Sequence, residues 1–157
     1  MTNVFRTLRD DEIEIVMNAP AMVAMLVAGA DDDVDKDEIA EAIHYATTAK
    51  HRYDMLGEYF EDVADKFEDI FKNYIADLPT DLDTRQHTIT SYLRQLNSVL
   101  PKVDPKVATQ VHQFLLDIAK VVAEASGGVF GIKKVSKAEA QWLPLDMIDK
   151  PADYEMM

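Results

Sequence analysis

The sequence of 157 residues contains no cysteine and only one tryptophan. Without cysteine, disulfide bonds, thiol catalysis and cysteine-ligated zinc are excluded. No uninterrupted apolar run approaches the length of about 18 residues that a membrane-spanning helix needs. The N-terminal residues from Met1 to Arg6 also lack the apolar block of a signal peptide. We therefore expect a soluble, cytoplasmic protein that is not inserted into a membrane.

Positive charge is scarce as well. The chain has 16 Lys and Arg against 29 Asp and Glu, a formal net charge of −13. This excess disfavours binding to nucleic acid or to anionic membrane surfaces, because both depend on neutralising phosphates. Residues 1–78 hold 7 basic and 19 acidic residues, a net charge of −12, while residues 79–157 hold 9 and 10, a net charge of −1. Any role of the acidity therefore belongs to the first half.

The apolar pattern predicts an all-α protein. Apolar residues recur at spacings of three and four along nearly the whole chain, and no alternating run of β-branched residues indicates a strand. Hydrophobic residues make up 48% of the chain, enough to bury a core. We predict one domain over residues 1–150, a compact bundle of about seven helices, followed by a C-terminal tail at residues 151–157.

The first helix is expected to lie at the centre of this bundle. Acidic residues at positions 10–12 favour a helix start, because the helix dipole stabilises negative charge there. Pro20 either kinks this helix or begins a second one. Residues 21–30 are apolar on all sides, which is typical of a helix buried in a core. Further helices are expected at residues 39–46, 53–76, 83–100, 105–122 and 136–143.

Two regions of the chain, Val27–Glu38 and Val122–Glu139, share a pattern. Each contains an apolar helix end, a loop of small or acidic residues, a valine, an N-cap residue and a glutamate three residues after the cap. Each region therefore predicts a helix–loop–helix unit. Two such units can pack about a pseudo-two-fold axis, giving a bundle of two pseudo-symmetric halves.

This order of features resembles the tellurite-resistance TerB family and the related N-terminal domain of the DjlA co-chaperone. The segment from Ser126 to Glu139 also looks like the second half of TerB-like proteins. One position departs from the family pattern, since Asp32 stands where the first loop tends to have glycine. Aspartate tolerates a positive φ less well than glycine. The resemblance implies a helical bundle, an association with tellurite resistance or stress response, and a divalent-cation site on the acidic face, without an established reaction.

An acidic stretch of the first repeat is a candidate metal site. Asp31, Asp33, Asp35 and Glu38 place four carboxylates within eight residues, and carboxylate oxygens suit Ca²⁺ or Mg²⁺. The site is not an EF-hand, because Lys36 stands where a loop beginning at Asp31 needs its turn glycine. The alternative interpretation is structural, since Asp35 and Glu38 also form a capping box for the next helix.

A second acidic feature lies on the long helix expected at residues 53–76. Glu58, Asp62, Asp65 and Asp69 follow one another at spacings of four, three and four, which places them on one side of a helix. This acidic ridge can hold a cation, meet a basic partner or serve only as a solvated face.

One histidine invites a metal interpretation. Glu41 and His44 match one Glu-x-x-His element of di-iron bundles. Such bundles need two of these elements and two further glutamates, and no other histidine here has a glutamate three residues earlier. We therefore interpret His44 as a partly exposed helical residue.

Together these patterns favour a non-enzymatic binding or scaffold module. Its acidic first half would recruit a divalent cation or a basic protein partner, whereas direct capture of tellurite oxyanions is disfavoured by the negative face. Two alternatives stay open. One is a metal-dependent hydrolase or oxidase that uses the acidic cluster, although no catalytic base or phosphate anchor is identified. The other is a purely structural helical adaptor whose acidity maintains solubility.

Overall fold

The structure, a computed structural model, describes residues 5–29, 44–45, 48, 57–77, 79–125 and 140–151. These residues are largely helical, and no strand occurs among them. The helices, numbered here in chain order, are α1 (Asp10–Ala28), α2 (Gly57–Asp77), α3 (Leu82–Arg94), α4 (Leu96–Val99) and α5 (Pro105–Ala125), with a 3₁₀ turn at Leu100–Lys102 between the last two.

The all-α prediction is confirmed for these segments. Four of the helices have 13 to 21 residues and one is a single turn. The predicted total of seven helices and the pseudo-two-fold relation stay predictions, because residues 30–43 and 126–139 lie outside the described residues. The helix expected at residues 136–143 does not extend to residue 143, since residues 141–144 form turns. Within the described helices, none is both long and apolar enough to cross a membrane.

Helix α1 lies at the centre of the bundle and contacts α2, α3 and α5. Every residue from Val16 to Ala28 is buried, which confirms the prediction of a helix surrounded by the core. The helix continues through Pro20, so this proline does not begin a second helix. Because this stretch is buried on all sides, a backbone group of α1 that lacks a partner within the helix cannot form a hydrogen bond with water instead.

Pro20 removes one hydrogen bond from α1, and a side chain of α2 replaces it. In a regular helix the N–H of residue 20 would donate to the carbonyl of residue 16, and proline has no N–H. The Tyr59 hydroxyl donates to the Val16 carbonyl oxygen instead, at 3.0 Å. Tyr59 is 0% exposed, and its ring meets Phe5 and Phe114 edge-on at centroid distances of 5.3 and 6.3 Å. Burial raises the pKa of Tyr59, which keeps the hydroxyl protonated as a donor.

A buried carboxylate anchors the start of α1. Glu12 is 3% exposed and accepts the backbone N–H of Arg9 at 3.0 Å. Its other oxygen accepts a hydrogen bond from Lys102 Nζ, 90 residues further along the chain. The bond from the Arg9 backbone and then the bond from Lys102 hold the pKa of Glu12 below its usual range. The acidic residues at positions 10–12 correctly predict the start of this helix. No local pattern predicts the contact between Glu12 and the distant Lys102.

Most ends of the remaining described helices lie within a few residues of the predicted ends. The Asp81 carboxylate accepts the N–H of Thr84 at 2.9 Å and caps α3. The prediction of one helix from residue 83 to 100 is wrong, because α3 ends at Arg94 and a turn at Gln95 separates it from α4. The predicted cap of α5 is confirmed, since the Asp104 carboxylate accepts the N–H of Lys106 at 2.8 Å.

We predict that Glu12→Gln lowers the free energy of unfolding near pH 7 and that this deficit shrinks in acid. Because the folded state depresses the pKa of Glu12, its stabilisation is complete above the unfolded-state pKa of about 4.3 and is lost as the pH falls through the lower folded-state value. Urea unfolding followed by far-UV circular dichroism, at about pH 7 and about pH 3, measures the difference.

The matched control is Glu14→Gln, which removes an exposed carboxylate from the same helix. We expect this control to change stability little at either pH. A Glu12→Gln deficit of the same size at both pH values would contradict the assigned role of the ionised carboxylate.

Candidate functional site

Helix α2 presents acidic side chains on the side away from its packing surface. Val63 and Phe67 are buried at 1% exposure each, whereas Asp65 and Asp69 are exposed and Asp62 is half-buried. Asp62 and Asp69 are seven residues apart, about 10 Å along a helix. The described part of the predicted ridge is therefore an outward acidic surface, which we call the α2 acidic face (Asp62, Asp65 and Asp69).

The structure does not describe the predicted metal ligands. Asp31, Asp33, Asp35 and Glu38 lie outside the described residues, and so does the side chain of Glu58. Among the side chains that the structure does describe, no group of three or more His, Asp or Glu is placed to hold a metal ion. The metal site accordingly stays a prediction.

A basic side chain lies at the end of α1, close in the chain to the predicted ligands. Arg85 of α3 donates from Nη2 to the Gly29 carbonyl oxygen at 2.9 Å. The carbonyl end of a helix carries partial negative charge, so a guanidinium is favourable there. A Cβ at position 29 would lie 3.2 Å from Arg85 Nη2 and 3.0 Å from the Met25 carbonyl oxygen. Glycine at this position therefore permits the close approach of Arg85.

This contact bears on the crowding of acids that begins two residues after Gly29. Neighbouring carboxylates repel one another unless cations or basic groups offset their charge. Arg85 places one such positive charge at Gly29, two residues before Asp31 in the chain. The contact could not be predicted from the sequence, because Arg85 and Gly29 are 56 residues apart and no local pattern connects them.

On the other side of the acidic stretch, Tyr45 anchors the chain to α5. Its hydroxyl donates to Asp117 at 3.0 Å, and its ring stacks on Phe114 with centroids 5.9 Å apart and an interplanar angle of 19°. Gln113 donates to the other oxygen of Asp117 at 2.9 Å. Gly29 and Tyr45 are thus two anchored positions that flank the predicted metal ligands in the chain.

The described histidines do not form a metal centre. His44 is helical and exposed, as expected from the sequence. His87 is also exposed. His112 of α5 is buried at 8% exposure, and its Nε2 has no hydrogen-bond partner in the described part of the chain. Burial, followed by the positive charge of Lys150, lowers the pKa of His112 and favours a neutral imidazole.

Comparison of the chain with protein-family models, with curated proteins and with solved structures finds no match in any of the three. The TerB-like resemblance therefore stays a hypothesis carried by the repeat motifs. The first residues of both motifs are described: Val27 lies one residue before the end of α1 and Val122 three residues before the end of α5. Both valines are buried at 0% exposure, as the pattern of an apolar helix end requires.

Proposed function

We propose that this chain is a non-enzymatic acidic binding or scaffold module of the TerB-like kind, associated with tellurite resistance or stress response. Its first half recruits a basic protein partner. The observation that carries this proposal is the α2 acidic face, where Asp65 and Asp69 are exposed while the opposite side of the helix packs into the core. Exposed carboxylates that take no part in the packing of the helix support this proposal.

Charge explains how such a face selects its partner. Three carboxylates within two helical turns attract Lys and Arg side chains over a distance of about 8–10 Å at physiological salt. This attraction mainly accelerates association and rejects acidic partners, and it weakens as salt is added. Lys66 is an exposed positive residue within the same stretch, and one such charge offsets only part of the negative charge.

A divalent cation, Ca²⁺ or Mg²⁺, is the second ligand that we propose. Residues 31–38 contain six acidic residues and one lysine, an excess of negative charge that a divalent cation would offset. Asp31, Asp33, Asp35 and Glu38 offer the hard oxygen ligands that these cations prefer. Bound metal would then neutralise the stretch between the anchors at Gly29 and Tyr45.

The α2 acidic face is tested by replacing Asp62, Asp65 and Asp69 with asparagine in one variant. Binding of a fluorescein-labelled lysine-rich peptide is measured by fluorescence anisotropy at low and at physiological salt. We expect about tenfold weaker binding at low salt, because three exposed ion pairs contribute roughly 0.5 kcal/mol each. The salt dependence is expected to decrease in the same variant.

The matched control for this variant is the triple substitution Glu14→Gln, Asp146→Asn and Asp149→Asn. It removes three charges from exposed positions outside α2. Affinity should fall much less in this control than in the α2 variant. An equal fall in both variants would show that net charge acts rather than the α2 acidic face, and the proposal would be wrong.

The cation is tested by calorimetric titration and thermal melting with CaCl₂ and with MgCl₂. We expect binding heat and a melting temperature that rises by a few degrees, since a ligand that binds only the folded state stabilises it. Both signals should vanish when Asp31, Asp33 and Asp35 become Asn and Glu38 becomes Gln. They should persist in the α2 variant, which has a similar charge change.

Absence of both heat and melting shift at millimolar metal would contradict the cation proposal and leave the acidic-face proposal standing. Metal-dependent hydrolysis of a generic phosphate ester would contradict the non-enzymatic assignment and favour the hydrolase alternative.

A further inference from the structure

Helix α5 contains a buried histidine whose Nε2 makes no hydrogen bond. His112 is 8% exposed, and its Nε2 has no partner in the described part of the chain. Residues 108–116 of the same helix include no other ionisable side chain. The two tyrosines that contact the nearby Phe114, Tyr45 and Tyr59, direct their hydroxyls to other acceptors. Within one turn of α5, His112 therefore has no carboxylate that would stabilise a protonated imidazole.

The described elements packed against α5 do not supply a carboxylate either. Helix α1 and the 3₁₀ turn pack against α5, and α1 contains no ionisable side chain from residue 15 to residue 28. Near the other end of α1, Glu12 is paired with Lys102 of the 3₁₀ turn. Among the charges of the described residues, the one that acts on His112 is positive and belongs to Lys150. A protonated imidazole would therefore meet repulsion without compensation.

Lys150 belongs to the C-terminal segment, residues 140–151, and follows directly on a point where the main chain is attached to α4. Asn97 of α4 donates from Nδ2 to the Met147 carbonyl at 2.9 Å. The Asp149 N–H donates to Oδ1 of the same side chain at 2.7 Å. Lys150 itself is exposed. A hydrogen bond to a single amide side chain thus holds the backbone immediately before this lysine.

We propose that His112 is an acid-sensitive switch for this attachment: when the imidazole takes up a proton, its charge repels Lys150, and the Asp149 N–H leaves Asn97 while the helices stay folded. The repulsion is stronger than between charges in water, because His112 lies where little water reaches. Movement of an exposed lysine and one neighbouring backbone bond relieves it without opening the core. The switch is carried by other elements than the α2 acidic face and does not rest on the function proposed above.

The pH dependence of the switch has a definite sign. Burial, and then the charge of Lys150, lower the pKa of His112 in the attached state, whereas an accessible imidazole has a pKa of about 6.5. The released state therefore binds more protons, and acid favours it. The attachment is complete above about pH 6.5 and weakens as the pH falls toward the lower pKa of the attached state. Ordinary carboxylates titrate mainly below this range, with pKa values of about 4.

Native-state hydrogen exchange on the unmodified chain, at about pH 7 and about pH 5, tests the release. Protection of the Asp149 N–H, relative to its intrinsic exchange rate at each pH, should fall at least about threefold in acid. Low urea concentrations should leave its exchange unchanged at both pH values and accelerate that of Val23 and Ala24 in α1. Equal Asp149 protection at both pH values, or exchange that rises with urea as in α1, would overturn the proposal.

Replacement of the imidazole tests whether His112 is the group that takes up the proton. In His112→Gln, which keeps a neutral polar side chain, Asp149 protection should be the same at both pH values. The matched control His87→Gln removes an exposed histidine from α3 and should keep the fall seen in the unmodified chain. Far-UV circular dichroism confirms that each variant keeps its helices. A fall in His112→Gln as large as in the control would contradict the proposal.

Removal of the repelling charge tests the partner of the imidazole. Lys150→Gln should reduce the acid-induced loss of Asp149 protection, because the attached state then tolerates a protonated His112 better. The matched control Lys120→Gln removes an exposed lysine from α5 and should leave the loss unchanged. Since Lys150 is exposed, this variant decides the question even if His112→Gln fails to fold. An equal loss in the two lysine variants would show that Lys150 is not repelled, and the proposal would be wrong.

Discussion

The stretch of α1 from Val16 to Ala28 is buried on all sides. It must therefore receive from its neighbours every hydrogen bond that it cannot make itself, and this constraint organises the structure around α1. Pro20 leaves the Val16 carbonyl without its backbone donor, and Tyr59 of α2 supplies the replacement. Past the end of the helix, the Gly29 carbonyl takes its donor from Arg85 of α3. An unpaired buried polar group costs about 1–3 kcal/mol, so each contact fixes how a neighbouring helix sits on α1.

The same contacts determine which residues reach the surface. Because Tyr59 points at Val16, the side of α2 that carries Val63 and Phe67 faces the core, and Asp65 and Asp69 are left outside. Because Arg85 binds the Gly29 carbonyl, a positive charge lies beside the C-terminal end of α1. The exposed acidic side of α2 is thus arranged by the hydrogen-bonding needs of the buried stretch of α1.

Local patterns in the sequence are sufficient to predict a large part of this architecture. The all-round apolar composition of residues 21–28 predicts a central helix, and Asp104 with Pro105 predicts the start of α5. Apolar and acidic residues that each recur at spacings of three and four predict the two sides of α2. Long-range contacts leave no such pattern: the partners Glu12 and Lys102 are 90 residues apart. The turn at Gln95 has no glycine or proline beside it, so the interruption between α3 and α4 could not be predicted from local residues. The metal site, the helix total and the family resemblance stay predictions.

A double-mutant cycle between Pro20→Ala and Tyr59→Phe tests most directly whether the Tyr59 hydroxyl replaces the missing helical hydrogen bond. Urea unfolding of the unmodified chain, both single variants and the double variant gives the coupling energy. Tyr59→Phe should cost about 1–3 kcal/mol in the unmodified chain, because it leaves the Val16 carbonyl unpaired. It should cost at least about 1 kcal/mol less together with Pro20→Ala, since the restored N–H can then bond that carbonyl. Strictly additive effects of the two substitutions would contradict the account.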